Sequence, residues 1–272
     1  MLLSMTTDYT TSHGCPEPYL RRIAEAGFTH VHWCHQWNTD FLYGRAEIAQ
    51  IRRWLDAFHL QLLDLHASRG VEKCWVSTRE YARLAGVELV SNRIEMTARL
   101  GGAVIILHAG AAEGDEHAAY RDALHASLES LAPVAREHGV RIAIENGDFR
   151  EIRDILTAYP ADYLGLCYDS GHGNDGQGLD ELEALKDRLI SVHLHDNDGV
   201  KDLHRIPFYG TVDWPRLAGI LAASSYTQCL SSEANMHQMS FTDEAAYLTE
   251  AYSKCCTLAE MVEAARQVRY TP

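Results

Sequence analysis

The sequence predicts an α/β protein that folds as a single (β/α)8 TIM barrel. Short apolar runs alternate with helical patterns along the whole chain. These runs are continuously rich in Val, Ile and Leu, as is typical of parallel strands buried on both faces. The length of 272 residues also suits one barrel, a fold that typically takes about 250 residues. Because no linker or shift in composition divides the chain, we expect one domain over residues 1–272.

Eight strands and eight helices are expected in strict alternation. The strand-like runs cover residues 2–5, 29–33, 60–65, 103–108, 140–144, 163–168, 189–194 and 227–231. Helical patterns, with apolar residues every three or four positions, cover residues 18–26, 46–58, 77–100, 118–138, 152–158, 179–187, 214–223 and 243–268. An open doubly wound sheet usually has a Gly-rich turn after its first strand, and this chain has none there. The pattern therefore favours the closed barrel.

Local signals support the ends of several helices. Gly27, Gly101 and Gly139 each stand just before a predicted strand, where glycine can adopt the left-handed conformation that ends a helix. Asp148 and Asp213 precede helical patterns and are expected to be N-caps, because a carboxylate there accepts from free backbone N–H groups.

Charge and cysteine usage narrow the classes of function. A net charge of −14 disfavours binding to nucleic acid or to an anionic membrane. Seven cysteines without a CxxC pair are typical of reduced thiols. The first residues lack a signal-peptide pattern, and no apolar run approaches 18 residues. We therefore expect a cytoplasmic protein that binds neither nucleic acid nor membranes; an assembly of identical chains is compatible with this composition.

Polar residues stand at the ends of six successive strands. They are His66, His108, Glu145, Asp169 with His172, His195, and Glu233. A histidine at one strand end is more often structural than catalytic, but six successive His, Asp or Glu endings are hard to explain structurally. A β/α barrel keeps its chemistry at this end of its strands.

Four of these residues predict a divalent-metal site: Glu145, Asp169, His195 and Glu233. Mixed carboxylate and imidazole ligands suit Zn²⁺, Mn²⁺, Fe²⁺ or Co²⁺ better than Ca²⁺. His193 and His195 share one face of their strand. We expect His195 to be the ligand because it is nearer the rim, with His193 one layer deeper. The aromatic segment 32–37 is a candidate wall for the cleft.

Several motifs resemble the xylose-isomerase-like TIM barrels. They are YDSGHGN, VHLHDND, the D-x-H-R-x-P that begins at Asp202, and GTVDW. That superfamily includes sugar-phosphate isomerases and epimerases, the inosose and dehydroshikimate dehydratases, and the endonuclease IV type of abasic-site nuclease. The resemblance implies the same barrel fold and a metal-dependent reaction.

In the epimerase branch one divalent metal is held by Glu, Asp, His and Glu, which match Glu145, Asp169, His195 and Glu233. The resemblance further implies that His172 and Arg205 contact substrate hydroxyls. A bound metal would polarise a ketose carbonyl and its neighbouring hydroxyl, while two carboxylates transfer a carbon-bound proton. We expect Glu145 and Glu233 to be this acid/base pair, in an isomerase, epimerase or related sugar-acid dehydratase that acts on a small-molecule carbohydrate substrate.

The nuclease branch is the alternative, with a three-zinc cluster held by nine residues. Residues of matching type stand at His66, His108, Glu145, Asp169, His172, His195, Asp202, His204 and Glu233. Clusters of this kind favour phosphodiester hydrolysis. The net charge and the short connecting loops favour the sugar enzyme instead. In that enzyme His66, His108, Asp202 and His204 would line the substrate pocket around one metal ion.

Overall fold

A computed structural model describes residues 1–110 and 117–270 and confirms the predicted barrel. Its strands are β1 (Leu3–Thr6), β2 (His30–Trp33), β3 (Gln61–His66), β4 (Val104–His108), β5 (Arg141–Glu145), β6 (Leu164–Asp169), β7 (Leu189–His193) and β8 (Leu230–Ser232). Each strand from β1 to β7 pairs in parallel with the next one in sequence, and β8 pairs in parallel with β1.

The sheet closes between β7 and β8. Leu194, just beyond β7, forms a parallel bridge to Ser232. Its N–H donates to the Ser231 carbonyl at 2.8 Å, and its carbonyl accepts from the Glu233 N–H at 3.1 Å. The ring of strands is therefore complete, and the end of β7 lies beside the end of β8.

Helices pack around this barrel, one after each strand. They are α1 (Glu17–Glu25), α2 (Arg45–Ala57), α3 (Glu80–Arg99), α4 (His117–His138), α5 (Phe149–Ala158), α6 (Gly178–Leu185), α7 (Trp214–Ala223) and α8 (Glu244–Tyr270). The predicted boundaries hold to within three residues. None of the helices in the described ranges is long and apolar enough to cross a membrane.

The predicted helix ends are confirmed. Gly27, Gly101 and Gly139 have φ angles of 105°, 82° and 63°. Asp148 accepts from the Arg150 N–H at 2.8 Å, so α5 begins three residues earlier than its apolar pattern suggests. Asp213 likewise caps α7.

The apolar core lies mainly between the barrel and its helices, and the barrel interior is more polar. Five polar residues of the strands are almost completely buried: Ser4, His32, Asp64, Ser191 and His193. This interior runs directly into the C-terminal mouth of the barrel, where the predicted site residues lie.

Candidate metal centre

A cleft of about 360 Å³ opens at the C-terminal mouth of the barrel. Most of the predicted polar residues line it: His66, His108, Glu145, His172, Asp202, His204 and Glu233. Asp169 and His195 are fully buried. The structure thus places nine of the ten predicted site residues in the cleft or buried beside it.

Four side chains from four strand ends converge on one point, which we call the central group: Glu145, Asp169, His193 and Glu233. One potential ligand atom from each lies within 4.8 Å of all the others. His193 Nδ1 is 3.1 Å from Glu145 Oε1 and 3.2 Å from Glu233 Oε2. Three carboxylates and one imidazole at such distances form a donor set that suits a divalent transition metal.

The histidine in the central group is His193, whereas the sequence predicted His195 as the imidazole ligand. In the register between β6 and β7, His193 is the partner of Asp169 and therefore lies level with it. His195 lies beyond the end of β7, with its Nε2 3.0 Å from Asp169 Oδ1. Strand alternation places both histidines on one face, but only the pairing of strands sets their depth.

His195 belongs to a second set of donors, the outer group, with His172, Asp202 and His204. Its ring stacks on that of His204, with centroids 3.9 Å apart. Asp202 Oδ2 lies 3.3 Å from His172 Nε2 and 3.1 Å from His204 Nε2. Asp169 borders both groups, so the outer group directly adjoins the central one.

A third set, the side group, consists of His66, His108 and Glu145. The Nε2 atoms of the two histidines are 3.0 Å apart. Both face Glu145 Oε2, at 3.5 Å from His66 and 3.3 Å from His108. Since Oε1 of the same carboxylate faces His193, Glu145 joins the side group to the central group.

The histidines of the outer and side groups differ in how strongly they bind protons. Asp169 raises the pKa of His172 to about 11. Burial lowers the pKa of His204, but Asp202 and Glu233 outweigh it and raise that pKa to about 10. In the side group, burial lowers the pKa of His108 to about 4. At neutral pH the side group therefore offers a neutral imidazole from His108, whereas the outer group carries protons.

Several buried polar atoms at the mouth of the barrel lack a hydrogen bond within the described part of the chain and could instead coordinate a metal ion. Among the described residues, Glu145 Oε2 and Asp169 Oδ2 have no hydrogen-bond partner. Neither ring nitrogen of His195 makes a hydrogen bond to a described residue either, although its Nε2 lies 3.0 Å from Asp169 Oδ1. Buried polar atoms are normally satisfied, and an exception calls for an explanation. A cation coordinated by these atoms would provide one.

One predicted residue lies elsewhere. Arg205 is not among the described residues that line the cleft; its backbone pairs with Asp196, and its guanidinium is 3.5 Å from the Tyr209 carbonyl. Arg69 lines the cleft instead.

Other cleft residues were anticipated only in part. From the aromatic segment 32–37, Trp37 lines the cleft and has its ring centroid 4.7 Å from that of His66. Cys34, from the same segment, also lines the cleft, together with Asp8, Asn235 and Gln238, which the sequence did not indicate.

Comparisons with known proteins agree with this architecture. A family model described as xylose isomerase-like TIM barrel matches residues 20–254. A curated relative from Sinorhizobium fredii, named uncharacterized protein y4fM, is 32% identical over 90% of this chain and 88% of its own length.

Solved structures share the fold at low sequence identity. An L-ribulose 3-epimerase superposes with a TM-score of 0.79 at 16% identity and covers 100% of both chains. A D-tagatose 3-epimerase-like protein gives a TM-score of 0.78 at 19% identity, over 97% of this chain and 99% of its own. A structure described as IolI protein with a binding zinc atom gives 0.73 at 15% identity, over 97% and 99%.

Proposed function

The chain belongs to the xylose isomerase-like TIM barrel family, and from this premise we propose that it is a divalent-metal-dependent isomerase or epimerase of sugars or sugar phosphates. The observation that carries the proposal is the central group. Glu145 on β5 and Glu233 after β8 approach one point from different walls of the barrel. The epimerases among the structural neighbours support the same class of reaction.

In this proposal Glu145, Asp169, His193 and Glu233 hold one divalent ion, with His193 replacing the His195 that the sequence suggested. When bound, the ion would polarise a ketose carbonyl and the adjacent hydroxyl. Zn²⁺, Mn²⁺, Fe²⁺ and Co²⁺ all suit the donors. The zinc in one structural neighbour supports a transition metal here.

Glu145 and Glu233 transfer the proton. Burial raises the pKa of each carboxyl, but neighbouring histidines outweigh it and lower both pKa values well below the usual range. Each is therefore ionised at neutral pH and can accept a proton from a substrate carbon. One glutamate removes the proton on one face and the other returns it, through an enediolate, which inverts a centre or moves the carbonyl.

The cleft suits a substrate of monosaccharide size. Its volume of about 360 Å³ lies at the small end of the range for ligand pockets, roughly 300–1,000 Å³. The Trp37 ring gives it one apolar wall, against which a sugar ring can pack, and His172 and His204 supply polar contacts.

A second candidate is a multinuclear phosphodiesterase that acts on abasic-site DNA. The side and outer groups favour it, because each could hold a further ion beside the central group. The net charge of −14 opposes binding to a DNA backbone, so we rank this candidate second.

The test is turnover of a panel of ketoses, ketose phosphates and a duplex with an abasic site, by protein loaded with each metal in turn. We expect conversion of a ketose, with solvent deuterium entering a carbon position when the reaction runs in D₂O. Conversion without any exchange would count against the enediolate. Cleavage of the duplex with no sugar turnover would instead favour the phosphodiesterase, the second candidate function.

A further inference from the structure

A column of polar side chains lies one layer below the central group, inside the barrel. His32 on β2 is 0% exposed, and Asp64 on β3 and Ser191 on β7 are each 1% exposed. Bulky branched apolar residues usually fill this part of a TIM barrel. A buried carboxylate is costly unless other groups satisfy it. The presence of a polar column at this depth therefore needs an explanation.

Asp64 is fully engaged by its neighbours. Its Oδ1 lies 2.7 Å from His32 Nδ1, and its Oδ2 accepts a hydrogen bond from the Ser191 hydroxyl. His32 and Asp64 are also partners in the register between β2 and β3. The ring plane of His32 is thus set by the barrel backbone and by a carboxylate that is itself held in place.

The other edge of the His32 ring reaches the central group. Its Nε2 lies 3.4 Å from Glu233 Oε1, and its ring centroid is 4.3 Å from that of His193. The Cys34 sulfur lies 2.8 Å from the same nitrogen and 3.7 Å from Glu233 Oε1. His32 therefore connects the buried Asp64 with two of the four side chains that would hold the metal.

We propose that Asp64 and His32 are positioning residues that fix Glu233 and His193 in the geometry of the metal centre. The inference rests on the proposed central group. Hydrogen-bond partners behind the ligands of a metal orient those ligands and tune their affinity. The contact between Asp64 Oδ1 and His32 Nδ1 fixes the ring so that its Nε2 edge points toward Glu233, while the imidazole packs against the His193 ring. Ser191 keeps Asp64 in the orientation that this requires.

The test measures metal binding by the metal-free full chain, with no sugar involved. In Asp64→Asn the carbonyl of the amide can still accept from one neighbour, but the charge is lost. We expect the affinity for Zn²⁺, measured by competition with a chelator, to fall about 10–100-fold. The visible absorption spectrum of the Co²⁺-loaded variant should also shift, because Glu233 and His193 would sit differently around the ion.

Glu151→Gln is the matched control. Glu151 is another buried carboxylate, 3.4 Å from His117 and 3.6 Å from Arg121, and it lies outside the central group. It should lose stability without changing the Co²⁺ spectrum. Asp64→Asn that folds, as judged by circular dichroism, and binds Zn²⁺ as tightly as the parent with the same Co²⁺ spectrum would overturn the proposal.

Substitutions at two neighbouring positions, Ser191 and His32, test the proposal if Asp64→Asn fails to fold. Ser191→Ala removes one partner of Asp64 and should change affinity and spectrum in the same direction, by less. His32→Gln keeps an amide that can donate to Glu233, so it should retain more affinity than His32→Ala. An unchanged spectrum in Ser191→Ala, or equal affinity in the two His32 variants, would overturn the proposal. Absence of sugar turnover would contradict only the proposed function, whereas a protein that binds no Co²⁺ would contradict both.

Discussion

At the scale of single residues, Glu145 holds the most connected position in the site. One carboxylate oxygen faces His193 in the central group, and the other faces His66 and His108 in the side group. A carboxylate placed in this way can serve one metal ion and accept a proton, or it can bridge two ions. Its replacement is therefore the most informative single change.

Replacing Glu145 or Glu233 by Gln should reduce kcat by about 10²–10⁴-fold, since the amide cannot accept the proton. The loss should be larger where the metal is lost as well, so metal content is measured by elemental analysis beside the rate. Glu137→Gln, at an exposed position of α4, is the control and should leave both unchanged. Full activity in either site variant would remove that glutamate from the proposed acid/base pair.

We expect the two histidines of the VHLHD motif, His193 and His195, to bind different metal ions. His193→Ala should abolish tight binding of the central ion, because it removes the only imidazole from that group. His195→Ala should leave this ion bound and should weaken any ion held with His172, Asp202 and His204. Anomalous scattering from crystals of both variants checks this. Loss of the central ion in His195→Ala, with its retention in His193→Ala, would restore the ligand expected from the sequence.

At the scale of elements, the turn between β6 and α6 brings backbone against the ring of His195. A Cβ built at Gly171 would lie 1.9 Å from His195 Cε1, a distance that no real contact allows. Asn197 Nδ2 also donates to the Gly171 carbonyl at 2.9 Å, so the turn has little freedom to move away. Glycine is therefore needed here for close approach.

Gly171→Ala should displace His195 and lower the number of metal ions bound per chain, or should lower the melting temperature by several degrees. Gly219→Ala is the matched control, because its Cβ would meet nothing within 4 Å. It lies within α7, where alanine is the better helix former by up to about 1 kcal/mol. Differential scanning calorimetry measures the melting temperature of each variant, and metal analysis measures the number of ions bound per chain. A Gly171→Ala protein identical to the parent in both measurements would show that the turn can yield.

At the scale of the whole molecule, several histidines lie together at the mouth of an acidic barrel. There, protons and metal ions would compete for the same ring nitrogens. The raised pKa values of His172 and His204, about 11 and 10, mean that the metal-free protein carries protons there at neutral pH. These two protons stabilise the metal-free fold fully below a pH of about 6.5, the usual value for histidine. That stabilisation is lost as the pH rises through 10 and 11.

Metal affinity of the outer group should therefore rise between pH 6 and pH 9, with release of protons on binding. Affinity at the side group should change less over this range, because burial already keeps His108 neutral above about pH 4. Calorimetric titration with Zn²⁺ in buffers of different ionisation enthalpy measures the protons released. The variant His204→Ala should release fewer protons when it binds Zn²⁺. Proton release that does not depend on His204 would contradict this assignment.

Three of the four metal ligands expected from the sequence lie in the central group, and the fourth, His195, lies beside it. Glu145, Asp169 and Glu233 could be expected at the barrel mouth because each stands at or next to the end of a strand. His193 lies one layer deeper than His195, as strand alternation predicts, but the sequence does not reveal that Asp169 lies level with His193. The contact between His32 and Asp64 was not foreseen, since these residues are 32 positions apart and meet only through strand pairing.

The sequence by itself determined the fold and the end of the barrel at which the candidate metal ligands lie. Apolar runs, glycine-ended helices and polar strand ends are local patterns, and their physical causes act within a few residues. Tertiary structure alone decided which of two neighbouring histidines lies between Glu145 and Glu233, and how Glu145 is shared between donor groups. It also decided that Arg69 lines the cleft where Arg205 was expected. These outcomes depend on the register between strands and on the closure of the barrel, which arise from contacts between residues distant in the chain.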